Sequence, residues 1–352
     1  MPSNEDHVLL SKAIPQVIAW NAENRRSLPW RLSPTPYHVW ISEIMLQQTR
    51  IEAVIPYYER FLQALPDIAA LASVEDDRLL KLWEGLGYYS RARNLKKAAI
   101  IITEQYDGEL PADAAALRKL PGIGDYTAGA IASLAFRLPE PAVDGNVLRV
   151  LSRLFADEAD IMAQKTRKAA AELLLQQYPS GEDAALLTEG LMELGEVICI
   201  PNGVPLCAGC PLQEICRSHQ DGTELSYPVR SAGANRRVEE KTVFLLHCGG
   251  RYAVRKRTEP GLLSGLWEFP NTSGTLSQEE ADAYLRSLGL SPVSLSPCGK
   301  ARHVFTHIEW QMTGWLAACE AEIPDFLWLT KEEITEQVSI PAAFRAFRKQ
   351  LT

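Results

Sequence analysis

The chain has 352 residues, of which 46% are hydrophobic and 23% charged, and it carries a formal net charge of −8. This composition is typical of a globular protein with room for two domains, and it disfavours a protein that coats nucleic acid nonspecifically. No apolar run approaches the roughly 20 residues needed to cross a bilayer. The polar N-terminal sequence MPSNEDHVLLSKA has neither a signal-peptide nor a transit-peptide pattern, so we expect a cytoplasmic protein.

The first two thirds of the chain predict a mainly helical domain. In RIEAVIPYYERFLQAL, at 50–65, apolar residues recur at helical spacing and give one apolar face. Between joints that contain Pro and Gly, we predict further helices at 79–84, 92–105, 125–136, 147–154, 165–177 and 184–197.

The stretch LPGIGDYTAGA, at 120–130, predicts two helices joined by a glycine turn. Gly122 and Gly124 let a partner approach the backbone, and the first amides of the following helix suit a phosphate. Four cations precede the turn in sequence: Arg91, Arg93, Lys96 and Lys97. A turn that only packs is the alternative, and a charge run alone is usually a solvated face. We favour a DNA backbone lying against the turn.

Four cysteines lie within eighteen residues, at Cys199, Cys207, Cys210 and Cys216. In a reducing compartment such a group indicates metal ligation rather than disulfide bonds. One C-x2-C pair with unequal flanking gaps favours a [4Fe–4S] cluster, although the spacing alone leaves zinc open. The remaining cysteines, at 248, 298 and 319, are expected to be core residues.

Beyond the cysteines the apolar residues no longer recur at helical spacing, and we predict a second domain of mixed α and β structure. We assign 1–225 to the helical domain, with the cysteine loop at 199–216, then 226–240 to a polar linker and 241–352 to the second domain. Two apolar runs around Gly249-Gly250 predict a β-hairpin, and the alternating IEWQMT at 308–313 predicts a half-buried strand.

Taken together, LPGIG, VDGNV at 143–147 and the four-cysteine loop resemble the helix-hairpin-helix DNA glycosylases that include endonuclease III. Four longer motifs narrow the resemblance to the adenine DNA glycosylases, the MutY family: LPWR at 28–31, WISEIMLQQTR at 40–50, LWEGLGYYSRARNL at 82–95 and GLLSGLWEFP at 261–270. The resemblance implies a base excision repair enzyme that excises adenine mispaired with 8-oxoguanine or guanine in duplex DNA. It also implies one [4Fe–4S] cluster and a Nudix-like second domain, and we expect a monomer.

Two carboxylates are the candidate catalytic groups. Glu43 stands among apolar residues, where burial would raise its pKa and suit a general acid, unless the side chain faces solvent. Asp144 is suited to cap a helix. The resemblance makes Glu43 the acid that protonates the leaving adenine and Asp144 the carboxylate beside the sugar.

Tyr126 stands where bifunctional relatives carry a lysine that attacks the sugar. A phenol cannot form the Schiff base, so the resemblance implies a monofunctional glycosylase, with the Tyr126 hydroxyl hydrogen-bonding near Asp144 and Asn146 assisting.

The resemblance also assigns recognition residues. Gln48 and Tyr88 would wedge into the duplex, while Arg31 and Glu189 would line the adenine pocket. Thr49 would contact 8-oxoguanine, as would Thr306, which stands where the family commonly has serine. The first cysteine gap is also one residue longer than the family's usual gap.

Other functions are weighed against this one. A Nudix hydrolase needs a carboxylate-rich helix for Mg²⁺, and Glu279 and Glu280 lack the partners of that motif. A thymine-mismatch glycosylase of the same superfamily and a noncatalytic iron–sulfur DNA-binding protein remain the alternatives.

Overall fold

The computed structural model describes residues 3–231, 236–259 and 261–352. Spatial proximity of the Cα atoms divides the chain into two compact units, one of Met1–Ser73 with Asn94–Ala232 and the other of Val74–Arg93 with Gly233–Thr352. The segment Val74–Arg93, which we assigned to the first domain, therefore groups with the C-terminal part of the chain. Among the described residues, no helix is both long enough and apolar enough to cross a membrane.

The part of the chain before the linker is helical, as predicted. Its α-helices are α1 (Asn4–Asn24), α2 (Pro29–Leu32), α3 (Pro36–Leu46), α4 (Ile51–Ala64), α5 (Ile68–Ser73), α6 (Asp76–Leu82), α7 (Ser90–Gln105), α8 (Ala114–Leu117), α9 (Asp125–Leu134), α10 (Gly145–Phe155), α11 (Gln164–Leu175), α12 (Glu182–Val197) and α13 (Arg217–Gln220). Each helix predicted from apolar spacing is present, with ends that differ by up to three residues. The chain thus encodes these helices locally.

One hydrophobic core of the first unit joins α1, α10 and α12. The first turn of α10 packs unusually close to α12, because Gly195 has no side chain: a Cβ added there would lie 2.6 Å from the Cβ of Asn146. Apolar side chains of all three helices fill this core, among them Val17, Val147, Leu151, Leu187 and Leu191. The packing fixes the start of α10 against α12.

The predicted helix-hairpin-helix is formed by α8, a glycine turn and α9. Gly122 adopts a φ of +80°, and a Cβ there would lie 2.8 Å from the Cβ of Asn94. Gly124 is the N-cap residue of α9 and offers no side chain to the first amides of the helix. These amides are therefore left for another acceptor.

The second unit contains a seven-stranded sheet in its described part. The strands are β1 (Arg237–Cys248), β2 (Arg251–Lys256), β3 (Trp267–Glu268), β4 (Asn271–Ser273), β5 (Pro292–Val304), β6 (Ile308–Cys319) and β7 (Leu327–Leu329). The main order is β3-β2-β1-β6-β5, with β4 beside β1 and β7 beside β2. Among the described strands, β1 and β6 run parallel, and the other pairs are antiparallel.

The predicted hairpin and the predicted half-buried strand are both present in this sheet. β1 and β2 pair as His247 with Tyr252, around Gly249-Gly250, and Trp310 and Met312 of β6 are buried. β1 begins at Arg237, inside the stretch that we assigned to the linker, and residues 232–235 of that stretch lie outside the described residues.

Helices cover both faces of the sheet. α14 (Gln278–Ser287) contributes Ala281 and Leu285 to the core on one face. α15 (Lys331–Gln337) and α16 (Arg345–Arg348) contribute Ile334 and Phe347 to the core on the other face. The second unit is therefore an α+β domain, as the sequence predicts.

Candidate active site

A cavity of about 730 Å³ opens in the first unit beside the glycine turn. Its walls include α2 and the residues next to it, α3 and the turn after it, α9, the first residues of α10, and α12. Ten of the residues singled out in the sequence line it: Arg31, Glu43, Gln48, Thr49, Gly122, Gly124, Tyr126, Asp144, Asn146 and Glu189. Residues that are far apart in sequence thus meet at one cavity.

Glu43 is buried on α3, with 6% of its surface exposed. Of the two environments considered for Glu43, burial among apolar residues and exposure to solvent, the structure shows burial. Burial raises the pKa of this carboxyl to about 7, and the nearby Asp144 charge adds to the effect, while the hydrogen bond from Tyr126 opposes it. A substantial fraction of Glu43 is therefore protonated at neutral pH.

The Tyr126 hydroxyl donates a hydrogen bond of 2.6 Å to Oε2 of Glu43. We expected this hydroxyl to hydrogen-bond near Asp144, and the partner that the structure gives it is Glu43, which lines the same cavity as Asp144. Burial, together with the neighbouring Glu43 and Asp144 charges, raises the pKa of Tyr126 well above its usual value. The phenol therefore stays neutral and holds one of the two Glu43 oxygens.

Asp144 caps α10 and also lines the cavity, so its two predicted roles coincide. Its Oδ1 accepts the backbone N–H of Val147 at 2.8 Å, and its Oδ2 accepts the side-chain amide of Asn146 at 2.9 Å. Burial raises the pKa of Asp144, and these two hydrogen bonds and the Arg149 guanidinium oppose the increase. The carboxylate is thus fixed in position and supplied with donors.

Arg149 connects this corner of the cavity to the cysteine loop. Its Nη2 donates to Oδ1 of Asn146 at 2.8 Å and to the carbonyl of Gly195, while its Nε donates to the carbonyl of Cys199 at 2.7 Å. Only 3% of Arg149 is exposed. One buried guanidinium therefore spans the residues next to Asp144 and the first cysteine.

Arginines and glutamates that line the cavity or lie next to it form an ionic network, of which the sequence predicted only Arg31 and Glu189. Arg31 lies 3.8 Å from Glu189 and donates to Oε2 of Glu193 at 2.8 Å. Arg26 also binds Glu193, and Arg25 binds Glu189 at 2.9 Å.

Oε2 of Glu189 is buried, and among the described residues it has no hydrogen-bond partner. It therefore remains available to a donor on a bound molecule. Glu193 was missed, although its position four residues after Glu189 on α12 places both glutamates on one helix face.

The four predicted cysteine ligands lie around one small cavity of about 30 Å³. Burial raises the pKa values of the Cys199 and Cys210 thiols, and the neighbouring thiols reinforce the shift. Nη1 of Arg153 lies 3.2 Å from Sγ of Cys199, so it supplies positive charge beside the sulfurs. Four converging thiols and an adjacent guanidinium are suited to an anionic thiolate–metal centre.

The four predicted cations do not form one solvated face. Arg91 is only 8% exposed and donates to the carbonyls of Leu86 and Gly87. Arg93 is half-buried, and its Nη1 donates to the carbonyl of Ser264 at 2.6 Å. Backbone carbonyls thus hold the guanidinium groups of both arginines, which weakens the support that the run of cations gives to a DNA backbone at the glycine turn.

The remaining predicted contact residues have unusual backbone conformations or unexpected partners. Gln48 and Tyr88 are non-glycine residues in the left-handed region, with φ of 58° and 47°. In the second unit, the Tyr88 hydroxyl lies 3.1 Å from Oγ1 of Thr306. Strained residues of this kind often belong to functional sites.

The helix that would have to carry a Nudix metal site is capped by one of its own glutamates. Glu280 accepts the backbone N–H of Ser277 at 2.8 Å, and the Ser277 hydroxyl accepts the N–H of Glu280. Glu280 and Ser277 thus form the capping box at the start of α14.

Two family descriptions match the chain in the order that the fold suggests. The HhH-GPD superfamily base excision DNA repair protein family matches residues 41–176, and the NUDIX domain family matches residues 242–350. Among solved structures, the thermostable thymine-DNA glycosylase is similar with a TM-score of 0.55 and 27% identity over 62% of this chain and 98% of that chain. Endonuclease III in a non-covalent complex with DNA has a TM-score of 0.52 and 23% identity over 63% of this chain and 99% of that chain, a likeness of fold alone.

Similarity over most of the chain extends to adenine DNA glycosylases. The adenine DNA glycosylase of Rattus norvegicus is 33% identical over 94% of this chain and 76% of that protein. The adenine DNA glycosylase of Buchnera aphidicola subsp. Acyrthosiphon pisum is 33% identical over 83% of this chain and 82% of that protein. Because such relatives match across both regions and over most of their own length, the chain belongs to the adenine DNA glycosylase family.

Proposed function

We propose that this DNA repair glycosylase removes adenine paired with 8-oxoguanine, and adenine paired with guanine, from double-stranded DNA. The observation that carries the proposal is a buried carboxyl group, Glu43, with a pKa raised to about 7 in the same cavity as the donor-held Asp144. Two carboxyl groups in unlike environments are the usual equipment for breaking a glycosidic bond.

In the proposed reaction, protonated Glu43 donates its proton to N7 of the extruded adenine. The C1′–N9 bond then breaks, its electron pair leaves with the base, and Asp144 stabilises the oxocarbenium ion at C1′. Water adds to C1′ and returns a proton to the Glu43 carboxylate. Tyr126 keeps one Glu43 oxygen engaged, and Asn146 holds Asp144. Because Tyr126 supplies no amine, the enzyme is monofunctional and leaves the DNA strand intact.

The ionic network around Arg31 supports an adenine-binding role for that side of the cavity. The unpaired Oε2 of Glu189 would accept the exocyclic amine of adenine, a donor that guanine lacks at the same position. Glu193 would keep Arg31 in place, since it holds both Arg31 and Arg26.

The lesion contacts are proposed to involve both units. The proposed wedge residues are Gln48 of the first unit and Tyr88 of the second. The proposed contacts to 8-oxoguanine are made by Thr49 of the first unit and Thr306 of the second. In this proposal, the helical domain at 1–225 carries base removal and part of lesion recognition, and the second domain at 241–352 adds the Thr306 contact beyond the linker at 226–240. The glycine turn at Gly122 and Gly124 would receive the DNA backbone, and one protein molecule would suffice.

We also propose that Cys199, Cys207, Cys210 and Cys216 hold one [4Fe–4S] cluster. When bound, the cluster would cross-link the loop and fix its geometry. Free cysteine side chains fit a reducing compartment such as the cytoplasm. Metal analysis and absorption near 400 nm of anaerobically purified protein test this proposal. One zinc and no iron per chain would contradict it.

A single-turnover assay tests the proposed substrate. Duplexes containing A:8-oxoG, A:G and T:G would be compared under enzyme excess, with alkali used to reveal abasic sites. We expect excision from A:8-oxoG and A:G, and none from T:G. Excision from T:G alone would instead favour a thymine-mismatch glycosylase, and binding without excision a noncatalytic protein.

A further inference from the structure

Arg91 is a buried cation that the proposed reaction does not use. Only 8% of its surface is exposed, which argues against a direct contact with a DNA phosphate. Burial lowers the pKa of Arg91 to about 10, so the side chain stays charged at neutral pH. A charged group is costly to bury unless its surroundings use the charge.

The surroundings are a short, tightly curved loop before α7. Gly85, Gly87 and Tyr88 all have positive φ, at 106°, 71° and 47°. The loop is closed by the Trp83 indole, whose Nε1 donates to the carbonyl of Gly87 at 3.1 Å. A left-handed conformation is unfavourable for tyrosine, so the neighbouring contacts must maintain it.

The Arg91 guanidinium lies at the centre of this loop. Its Nη2 donates to the carbonyls of Leu86 and Gly87 at 3.1 and 3.2 Å. Its Cζ lies 5.3 Å from the centre of the Trp83 ring and 5.6 Å from the centre of the Tyr88 ring. These distances are typical of cation–π contacts. The Tyr88 ring remains 49% exposed, so the loop presents it to the solvent.

We propose that Arg91 is a positioning residue that holds Tyr88 in the conformation needed to enter the duplex, an inference that rests on the proposed wedge role of Tyr88. Arg91 binds the two carbonyls before Tyr88 and contacts the ring itself, so it fixes both the backbone and the side chain. Lysine cannot replace it fully, because an ammonium group lacks the planar fork that combines carbonyl bonds with ring contact.

The experiment compares Arg91→Met and Arg91→Lys in the full-length protein. Arg78→Met is the matched control, since Arg78 is an exposed arginine in the same segment. Adenine extrusion opposite 8-oxoguanine is followed with 2-aminopurine at the adenine position, and excision is followed in single turnover. We expect Arg91→Met to slow both about tenfold, a coupling of ordinary size for contacting residues. Arg91→Lys should be intermediate and Arg78→Met unchanged.

A double-mutant cycle with Tyr88→Ala separates positioning from other roles. If Arg91 acts through Tyr88, adding Arg91→Met to Tyr88→Ala should slow extrusion less than about twofold further. The salt dependence of binding should keep its slope, because a lost phosphate contact would reduce that slope by about one.

Four results would contradict the proposal. Effects of Arg91→Met and Tyr88→Ala that multiply, or a reduced salt slope, would overturn the proposal. Normal extrusion by Tyr88→Ala would instead reject the wedge role and leave the glycosylase activity untouched. If Arg91→Met fails to fold, as its melting temperature would reveal, Arg91→Lys decides, and wild-type extrusion by that variant would contradict the required fork.

Discussion

Glu43 and Asp144 line the same cavity, yet the chain holds the two carboxyl groups by different means. Glu43 sits on a helix among apolar residues, and a single neutral phenol binds one of its oxygens. Asp144 caps a helix, and a backbone amide and the Asn146 amide bind its two oxygens. Burial is the main influence on the pKa of Glu43, whereas fixed donors around Asp144 oppose the effect of burial on its pKa. The difference is that burial favours the protonated form of Glu43, whereas the fixed donors around Asp144 favour its ionised form and oppose the effect of burial.

The largest effect is expected from Asp144→Asn, because it removes the negative charge proposed to face the oxocarbenium ion. A unit-charge pair at about 4 Å contributes about 4 kcal/mol at an effective dielectric constant of 20, which corresponds to roughly a thousandfold in rate. Single-turnover excision should fall by this factor, while gel-shift affinity for the mismatched duplex persists. Retention of more than about a tenth of the rate would contradict the charge-stabilising role.

Glu43→Gln tests the other side of the comparison. An amide cannot supply the proton, so excision should fall by about 10²–10⁴. In the wild-type enzyme, excision should decline as the pH rises through about 7, since Glu43 then loses the proton that it donates. This alkaline decline should disappear in the residual activity of the variant. If the decline persists unchanged, another group is the acid.

Gly195→Ala tests whether the Asp144 side depends on the close packing of α10 on α12. The added methyl group would lie 2.6 Å from the Cβ of Asn146 and must displace the first turn of α10. We expect a loss of about tenfold or more in excision, because small misplacements of catalytic groups are costly.

Gly190→Ala is the matched control for Gly195→Ala. Its Cβ would lie 2.7 Å from Cγ1 of Val17 on α1, away from Asn146. Both variants should melt at a lower temperature than the wild-type protein. Only Gly195→Ala should lose much more excision activity than its loss of stability explains. Equal losses of activity in the two variants would show that the helix as a whole, rather than its contact with Asn146, matters.

The smallest change in rate is expected from Tyr126→Phe, which acts through Glu43. The Tyr126 hydrogen bond lowers the pKa of Glu43, so its removal should raise that pKa further above about 7. The alkaline decline of excision should move to higher pH, as a pH–rate profile would reveal. A shift to lower pH, or no shift, would mean that the phenol does not stabilise the ionised carboxylate.

Much of the fold follows from local patterns in the sequence. Apolar residues at helical spacing predict the helices because each helix buries one face, and Gly249-Gly250 predicts the hairpin because few other residues fit such a turn. The apolar neighbours of Glu43 on α3 are compatible with its burial, although the local sequence left exposure of this side chain to solvent open. These features depend on residues close in the chain.

The features that the sequence did not predict are side-chain contacts that form only in the folded chain. Sequence could not reveal which carboxylate the Tyr126 hydroxyl reaches, because Glu43 and Asp144 both approach it only after folding. A run of cations likewise cannot show that the Arg91 guanidinium donates to the carbonyls of Leu86 and Gly87. Assignment of Val74–Arg93 to the second unit depends on bonds such as that between Glu84 and Arg348, which no local pattern predicts.

The burial of Glu43 also has a consequence for the stability of the protein. Its pKa is about 7 in the folded chain and 4.5 ordinarily, so the folded state holds the proton more tightly than the unfolded state does. The free energy of unfolding should therefore fall as the pH rises from about 4.5 to about 7, by about 3 kcal/mol from this side chain alone. Glu43→Gln, which has no proton to lose, should melt at a higher temperature than the wild-type protein at pH 8. The same burial that equips the side chain for catalysis thus makes the folded enzyme less stable.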